Sequence, residues 1–196
     1  MNASPAQLQP YDEDKDEWHV VIETPRHSQN KYKFDDKLGV YILNGVLPEG
    51  MSFPYDFGFL PSTRAPDGDP VDVLLIMDEP AFCGCVVPAR LIGVIEAEQT
   101  ETDGTSERND RLVAISTKCR SDGHLKSLKD LNEHKLNELE QFFVSYNRVR
   151  GKTFKLLSQG GPKKAEKLAR EAMKQAKPSK SPQKSRKRNS RSKSKA

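Results

Sequence analysis

The apolar positions change rhythm about two-thirds of the way along the chain. Before that point they fall in short runs broken by Gly, Pro and Asp. His19–Ile22 is one such run, ending at Glu23 and closed by Thr24-Pro25. Lys31–Phe34 alternates, and Val40–Leu43, after Gly39, reads as its hairpin partner. Phe53–Leu60 is aromatic and punctuated by Gly and Pro. Val71–Met77 is apolar almost throughout, the pattern of a strand buried on both faces. Cys85–Ile95 and Leu112–Ile115 follow, with Glu96–Asn109 between them as a polar loop. Short strands at this spacing predict a small barrel or a strongly curved sheet.

The last third reads as helix. Leu136, Leu139, Phe143 and Tyr146 recur at three, four and three residues, which puts them on one face. Asp130 or Asn132 caps that helix, and Gly151 sits where it should end. A second, charged helix is predicted over Pro162–Ala176, with Pro162 in the first turn and Ala165, Leu168, Ala169, Ala172 and Met173 inward.

Composition narrows the class. With 35% hydrophobic and 31% charged residues, the chain can build one core under a well-charged surface. Its longest apolar run, Val73 to Met77, is far short of the ~20 residues of a membrane span. The first residues lack the basic and apolar regions of a secretory signal. Three cysteines, Cys83, Cys85 and Cys119, are too few and of the wrong parity for a disulfide framework, so a reducing cytoplasm is expected. The four histidines form no zinc spacing with them, and no phosphate-binding or dinucleotide fingerprint is present.

Charge changes the domain picture. Residues 177–196 carry nine Lys or Arg and no acid, leaving 23 basic against 28 acidic residues in the rest. The expected organisation is a loose arm over 1–16, an acidic folded domain over 17–176, and a disordered basic tail over 177–196.

The informative segment is Asp67-Gly68-Asp69-Pro70-Val71-Asp72. Asp-Gly alone reads as a turn. Asp72 opens the most apolar strand, where an unpaired carboxylate costs several kcal/mol if buried. It needs a cation, and a divalent metal with oxygen ligands is one economical answer. Spacing leaves turn and metal site equally open.

The same segment matches the D-G-D-P-x-D signature of the soluble family I inorganic pyrophosphatases, and the match continues on both sides. Trp18–Pro25 and Asn30-Lys31-Tyr32 resemble the family's opening. Phe53–Pro61 resembles its aromatic element, Val86–Val94 the strand pair that follows the signature, and Phe142-Phe143 to Tyr146 with Gly151-Lys152 its helix. The resemblance runs collinearly from about Trp18 to Lys155. It implies an α+β fold with an OB-like five-stranded β-barrel flanked by C-terminal helices. It also implies Mg²⁺-dependent hydrolysis of pyrophosphate to two phosphates, and assembly with further copies of the chain. On the matching positions, Asp67 and Asp72 would hold metal and Asp69 would take a proton from the attacking water. Lys31, Arg111 and Tyr146 would contact phosphate, and Glu23 would stand behind them.

The pattern departs at Lys33, Gly45, Phe57, Asn109 and Asn147, where the family carries an acid, an arginine, a tyrosine, an aspartate and a lysine. Arg111 replaces a lysine. These losses keep a second reading alive, a protein on the same barrel that binds a phosphate-rich ligand without efficient hydrolysis. The tail adds an expected non-specific attachment to nucleic acid or polyphosphate.

Overall fold

A computed structural model of the protein describes residues 4–176; the tail expected over 177–196 lies outside the described residues. Ten strands and two long helices follow one another in the chain. The strands are β1 (Tyr11–Asp12), β2 (Glu17–Thr24), β3 (Asn30–Asp35), β4 (Val40–Val46), β5 (Asp56–Phe59), β6 (Asp72–Ile76), β7 (Val86–Thr100), β8 (Ser106–Arg108) and β9 (Arg111–Ser116). Helix α1 (Glu133–Arg148), strand β10 (Thr153–Gly160) and helix α2 (Pro162–Ala176) complete it.

Five strands close on themselves. The pairs run β2–β5–β6–β9–β7, and β7 returns to β2. All are antiparallel except β6–β9, which is parallel, so the last strand of the ring inserts between the third and fourth. That order is an OB-like barrel. β1, β8 and β10 extend its edges, and β3 and β4 form a separate hairpin.

Strand β6 shows why the ring is stable. Val73 and Leu75 pack on one side with Trp18, Leu91 and α2, whereas Leu74 and Ile76 pack on the other with Phe57, Ile92 and α1. A period-two strand with apolar residues on both faces must be covered twice, and the two helices do this. Leu139, Phe143 and Tyr146 of α1 are buried as expected, and α2 buries Ala165, Ala169 and Ala172. Of the two alternatives for the α1 cap, Asn132 is the one used. The Asn132 side chain accepts from His134 N–H at 2.8 Å to cap α1, while Asp130 accepts from the N–H groups of Lys126 and Ser127 one turn earlier.

Two elements differ from the sequence reading. Glu96–Asn109 is not a loop: β7 continues to Thr100 and turns back through β8, pairing Glu98 with Arg108. Polar residues hold a strand here because Glu96, 7% exposed, is bonded to Arg108, Lys164 and the Ser158 hydroxyl. The last third is not all helix either. β10 pairs with β7 from Thr153↔Thr100 to Gly160↔Val94. It is an edge strand with one fully buried side chain, Phe154, so its apolar pattern is too sparse to read. At the N-terminus, residues 4–16 lie against the barrel. Pro10 is buried, Ser62 N–H donates to Ala6 C=O at 2.7 Å, and the Tyr11 ring tilts on Trp18 at 4.9 Å.

Candidate active site

All seven residues singled out from the sequence line one cavity of about 400 Å³: Glu23, Lys31, Asp67, Asp69, Asp72, Arg111 and Tyr146. Five elements deliver five of them, and the turn before β6 delivers Asp67 and Asp69. β2 ends in an irregularity opposite β5, between the pairs Ile22↔Gly58 and Thr24↔Phe57, and Glu23 occupies the extra position. Lys31 and Lys33, two apart on β3, share a face. Asp72 and Arg111 open the neighbouring strands β6 and β9, and Tyr146 reaches in from α1.

The Asp-Gly dipeptide is a turn and a site at once. Gly68 has φ +89° and donates to Ala65 C=O at 3.0 Å, while Asp67 accepts from Asp69 N–H at 3.1 Å. The turn thereby aims carboxylates into the cavity. The cation demanded by Asp72 is present in the chain itself: Arg111 binds it at 2.7 Å. Arg111 is nearly buried, with its guanidinium packed 5.5–5.9 Å from the rings of Phe143, Phe154 and Phe57, and it also donates to Asn109 Oδ1. Asp69, the more exposed carboxylate, pairs with Lys33 at 2.8 Å. Asp67 has no such partner among the described residues. Burial pushes its carboxyl above the usual range against the bond from Asp69 N–H, and the charges of Asp72 and Asp69 push the same way.

Cations face these acids. The Lys31 ammonium lies 5.4 Å from the ring centres of both Phe57 and Tyr146, held by the aromatic faces and without a carboxylate partner among the described residues. Arg150 donates to the Tyr146 hydroxyl, and Lys152 pairs with Glu101 at 2.5 Å. Sequence reasoning missed Lys33, Arg150 and the Lys152–Glu101 pair as site residues. The spacing Lys31-x-Lys33 on a strand was the available signal for the first. Glu101 lies in the misread segment, which hid its pair. On the wall beside Arg111, Asn109 donates to Gln99 Oε1 at 3.1 Å, and Glu101 and Glu107 line the cavity with these two amides.

Glu23 is buried and accepts from Phe34 N–H at 2.8 Å. Desolvation, with Asp72 nearby, pushes its carboxyl from 4.5 up to about 7 despite that bond. Between those two values the folded state keeps a proton that the unfolded chain has lost, so stability falls as pH rises through this window. Glu23→Gln is therefore expected to melt like the wild type near pH 5. Near pH 8, in chelator, it should be more stable by on the order of 2–3 kcal/mol. Thermal melts at the two pH values check this, and equal melting at both would remove the buried charge from the account.

A divalent cation fits part of this site. Among the described residues no three Asp, Glu, His or Cys side chains form a ready metal cage. Asp67, unpaired and strained by neighbouring charge, and the second oxygen of Asp72 make an oxygen-only pair on one wall. Two carboxylates, with water and phosphate completing the shell, is an ordinary Mg²⁺ environment.

A family model described as inorganic pyrophosphatase matches residues 20–177. An inorganic pyrophosphatase of Nostoc sp. is 42% identical over 139 residues, 71% of this chain and 79% of that protein. One from Geobacillus stearothermophilus is 36% identical over 79% of this chain and 90% of its own. The solved inorganic pyrophosphatase of Thermus thermophilus superposes with a TM-score of 0.81 at 31% identity, covering 89% of this chain and 99% of that one. The five-stranded ring, the clustered aspartates and these likenesses along most of both chains place the protein in the inorganic pyrophosphatase family.

Proposed function

We propose that the chain hydrolyses inorganic pyrophosphate to two phosphates in this cavity, with Mg²⁺ at Asp67 and Asp72. The carrying observation is that the aspartate trio and Lys31, Arg111 and Tyr146 share one cavity in a pyrophosphatase fold. A bound divalent cation supplies charge neutralisation to phosphate oxygens and acidifies water. The chain's own residues do the rest. Lys31 donates to phosphate oxygens from its aromatic seat. Arg111 fixes the Asp72 carboxylate and adds positive charge behind it, as a planar fork rather than a point charge. The Tyr146 hydroxyl accepts from Arg150 and keeps its own proton to donate to a phosphate oxygen. Asp69 accepts the proton of the attacking water, with the Lys33 ammonium 2.8 Å from its carboxylate. Glu23, behind Asp72, sets the charge of the cavity floor.

Phosphate release from pyrophosphate by the full chain is expected with Mg²⁺ and should vanish in chelator. Absence of release with Mg²⁺, Mn²⁺ and Co²⁺ alike would overturn the reading. Independently of turnover, millimolar Mg²⁺ should raise the melting temperature of the wild type but not of Asp67→Asn. An equal shift in both would move the metal elsewhere.

In this reading residues 17–176 form the pyrophosphatase-like domain, which assembles with further copies. No described helix is long and apolar enough to cross a membrane. The nine basic residues of 177–196 give salt-sensitive contact with polyanions. Deleting them changes the formal net charge from +4 to −5, so retention on heparin should collapse while activity stays. Unchanged retention would place the contact on the domain.

A further inference from the structure

We infer that Arg150 is a phosphate ligand of the cavity, the second arm of a clamp whose first arm is Lys31, both arms seated on the ring of Tyr146. The inference rests on the hydrolytic reading above and adds a substrate-binding residue to it.

Arg150 lies just past the last turn of α1. Its backbone N–H donates to Asn147 C=O at 3.0 Å, and Gly151, at φ +74°, turns the chain away toward β10. The side chain is left at the cavity, which it lines together with Lys31, Tyr146 and Lys152. Its guanidinium lies 5.1 Å from the Tyr146 ring centre, and the Lys31 ammonium lies 5.4 Å from the same centre. Two cations on one ring repel each other, and the ring's attraction for each is weak beside a full negative charge. Lys152 has such a charge in Glu101 at 2.5 Å, and Lys33 has one in Asp69 at 2.8 Å. Asp36 and Glu107 also line the cavity, but among the described residues neither forms an ion pair with Lys31 or Arg150. An anion reaching both cations and the Tyr146 proton at once completes the arrangement, and a phosphate group has the oxygens to do so.

Hydrogen-bonding capacity agrees with charge. Nη1 of Arg150 donates to the Tyr146 hydroxyl, the guanidinium's one hydrogen bond among the described residues. The rest of the planar fork is open and matches two oxygens of a phosphate. Because the Tyr146 oxygen accepts this bond, its own proton stays free, so hydroxyl and guanidinium donate side by side. Asn147, where the family pattern has a lysine, does not contribute in this way. It is 3% exposed, and its amide donates to Phe143 C=O at 2.9 Å, back along its own helix. Arg150, three residues on, brings a cation to the same end of α1, where the last carbonyls of the helix favour positive charge.

The test is calorimetric titration of the full chain in Mg²⁺ with methylenediphosphonate, a pyrophosphate analogue whose P–C–P bridge resists hydrolysis, alongside KM for pyrophosphate. Arg150→Gln is expected to weaken analogue binding and raise KM by about 10–100-fold, the loss of a charge-assisted contact. Its melting temperature should match the wild type, because the side chain is exposed. Arg150→Lys should recover part of the loss. Arg148→Gln, at an exposed arginine of α1 outside the cavity lining, should bind like the wild type. Equal binding by Arg150→Gln and wild type, or an equal loss in Arg148→Gln, would overturn the inference. Repeating Arg150→Gln in a Tyr146→Phe background separates contact from positioning. A further loss supports direct contact with phosphate; no further loss would overturn it and leave Arg150 as an anchor for the Tyr146 hydroxyl. Wild-type binding of the analogue without release of phosphate from pyrophosphate would overturn the hydrolytic reading and leave the clamp standing. No analogue binding by the wild type would overturn both.

Discussion

Asp69→Asn is expected to lower phosphate release from pyrophosphate by about 10²–10⁴-fold, the usual contribution of a general base. The substitution keeps the shape of the side chain and its place after the Asp67–Gly68 turn. It removes the ability to take a proton. Folding should barely notice, because the Asp69–Lys33 pair is exposed, with 59% and 42% of the two side chains accessible, and such pairs contribute about 0–1 kcal/mol. Substrate affinity should hold or improve, since Lys33 is released to bind phosphate. The expected signature is therefore a large fall in kcat, little change in KM, and a melting temperature close to that of the wild type. Equal kcat in the variant would remove Asp69 from the mechanism. A rise in KM with kcat unchanged would make it a binding residue.

The contrast with Asp72 follows from burial. Removing the Asp72 charge strands Arg111, whose side chain is 8% exposed, and breaking a buried pair from one side typically costs about 3–5 kcal/mol. An Asp72 variant therefore confounds chemistry with folding, whereas an Asp69 variant does not.

The same difference explains what the sequence made legible. Asp72 stood out because a carboxylate beside Val71, Val73 and Leu74 is chemically expensive, and its need for a cation could be read without a structure. Which cation answers it could not. Arg111 is 39 positions away and reaches Asp72 only because β6 and β9 run parallel from adjacent starts, Val73 opposite Leu112. Lys33 was visible as a departure from the family pattern, but its contact with Asp69 depends on how the β3–β4 hairpin sits over the barrel. The ring strands were readable where burial on both faces forces apolar runs. β8, β10 and the last third of β7 were not, because their side chains meet solvent or each other, and polar residues satisfy a strand there as well as apolar ones. Collinear family motifs supplied the ring's identity, while the parallel β6–β9 pairing came only from the fold.

Gly58→Ala is expected to lower stability by about 3 kcal/mol, at the upper end of the usual overpacking range. Gly58 lies in β5 opposite Ile22, next to the irregularity that carries Glu23. A Cβ there would sit 2.0 Å from Val21 O and 2.8 Å from Val21 C, both backbone atoms of the adjoining strand. No rotamer relieves that clash; β2 and β5 must move apart. For a chain of this size, 1 kcal/mol corresponds to roughly 2–4 °C, so a drop in melting temperature of about 6–12 °C is expected. The effect should reach the site as well. The close approach of β5 to β2 is what lets β2 turn Glu23 inward and seats Phe57 beneath Lys31. Separating the strands should raise KM for pyrophosphate, since Lys31 loses its aromatic seat, while Asp69 and its turn stay in place. Gly45→Ala is the control. It lies in the β3–β4 hairpin opposite Lys31, and a Cβ there meets nothing within 4 Å. A melting temperature for Gly58→Ala equal to that of Gly45→Ala would show that the barrel yields at this point without cost. The close strand contact would then not be what positions Glu23.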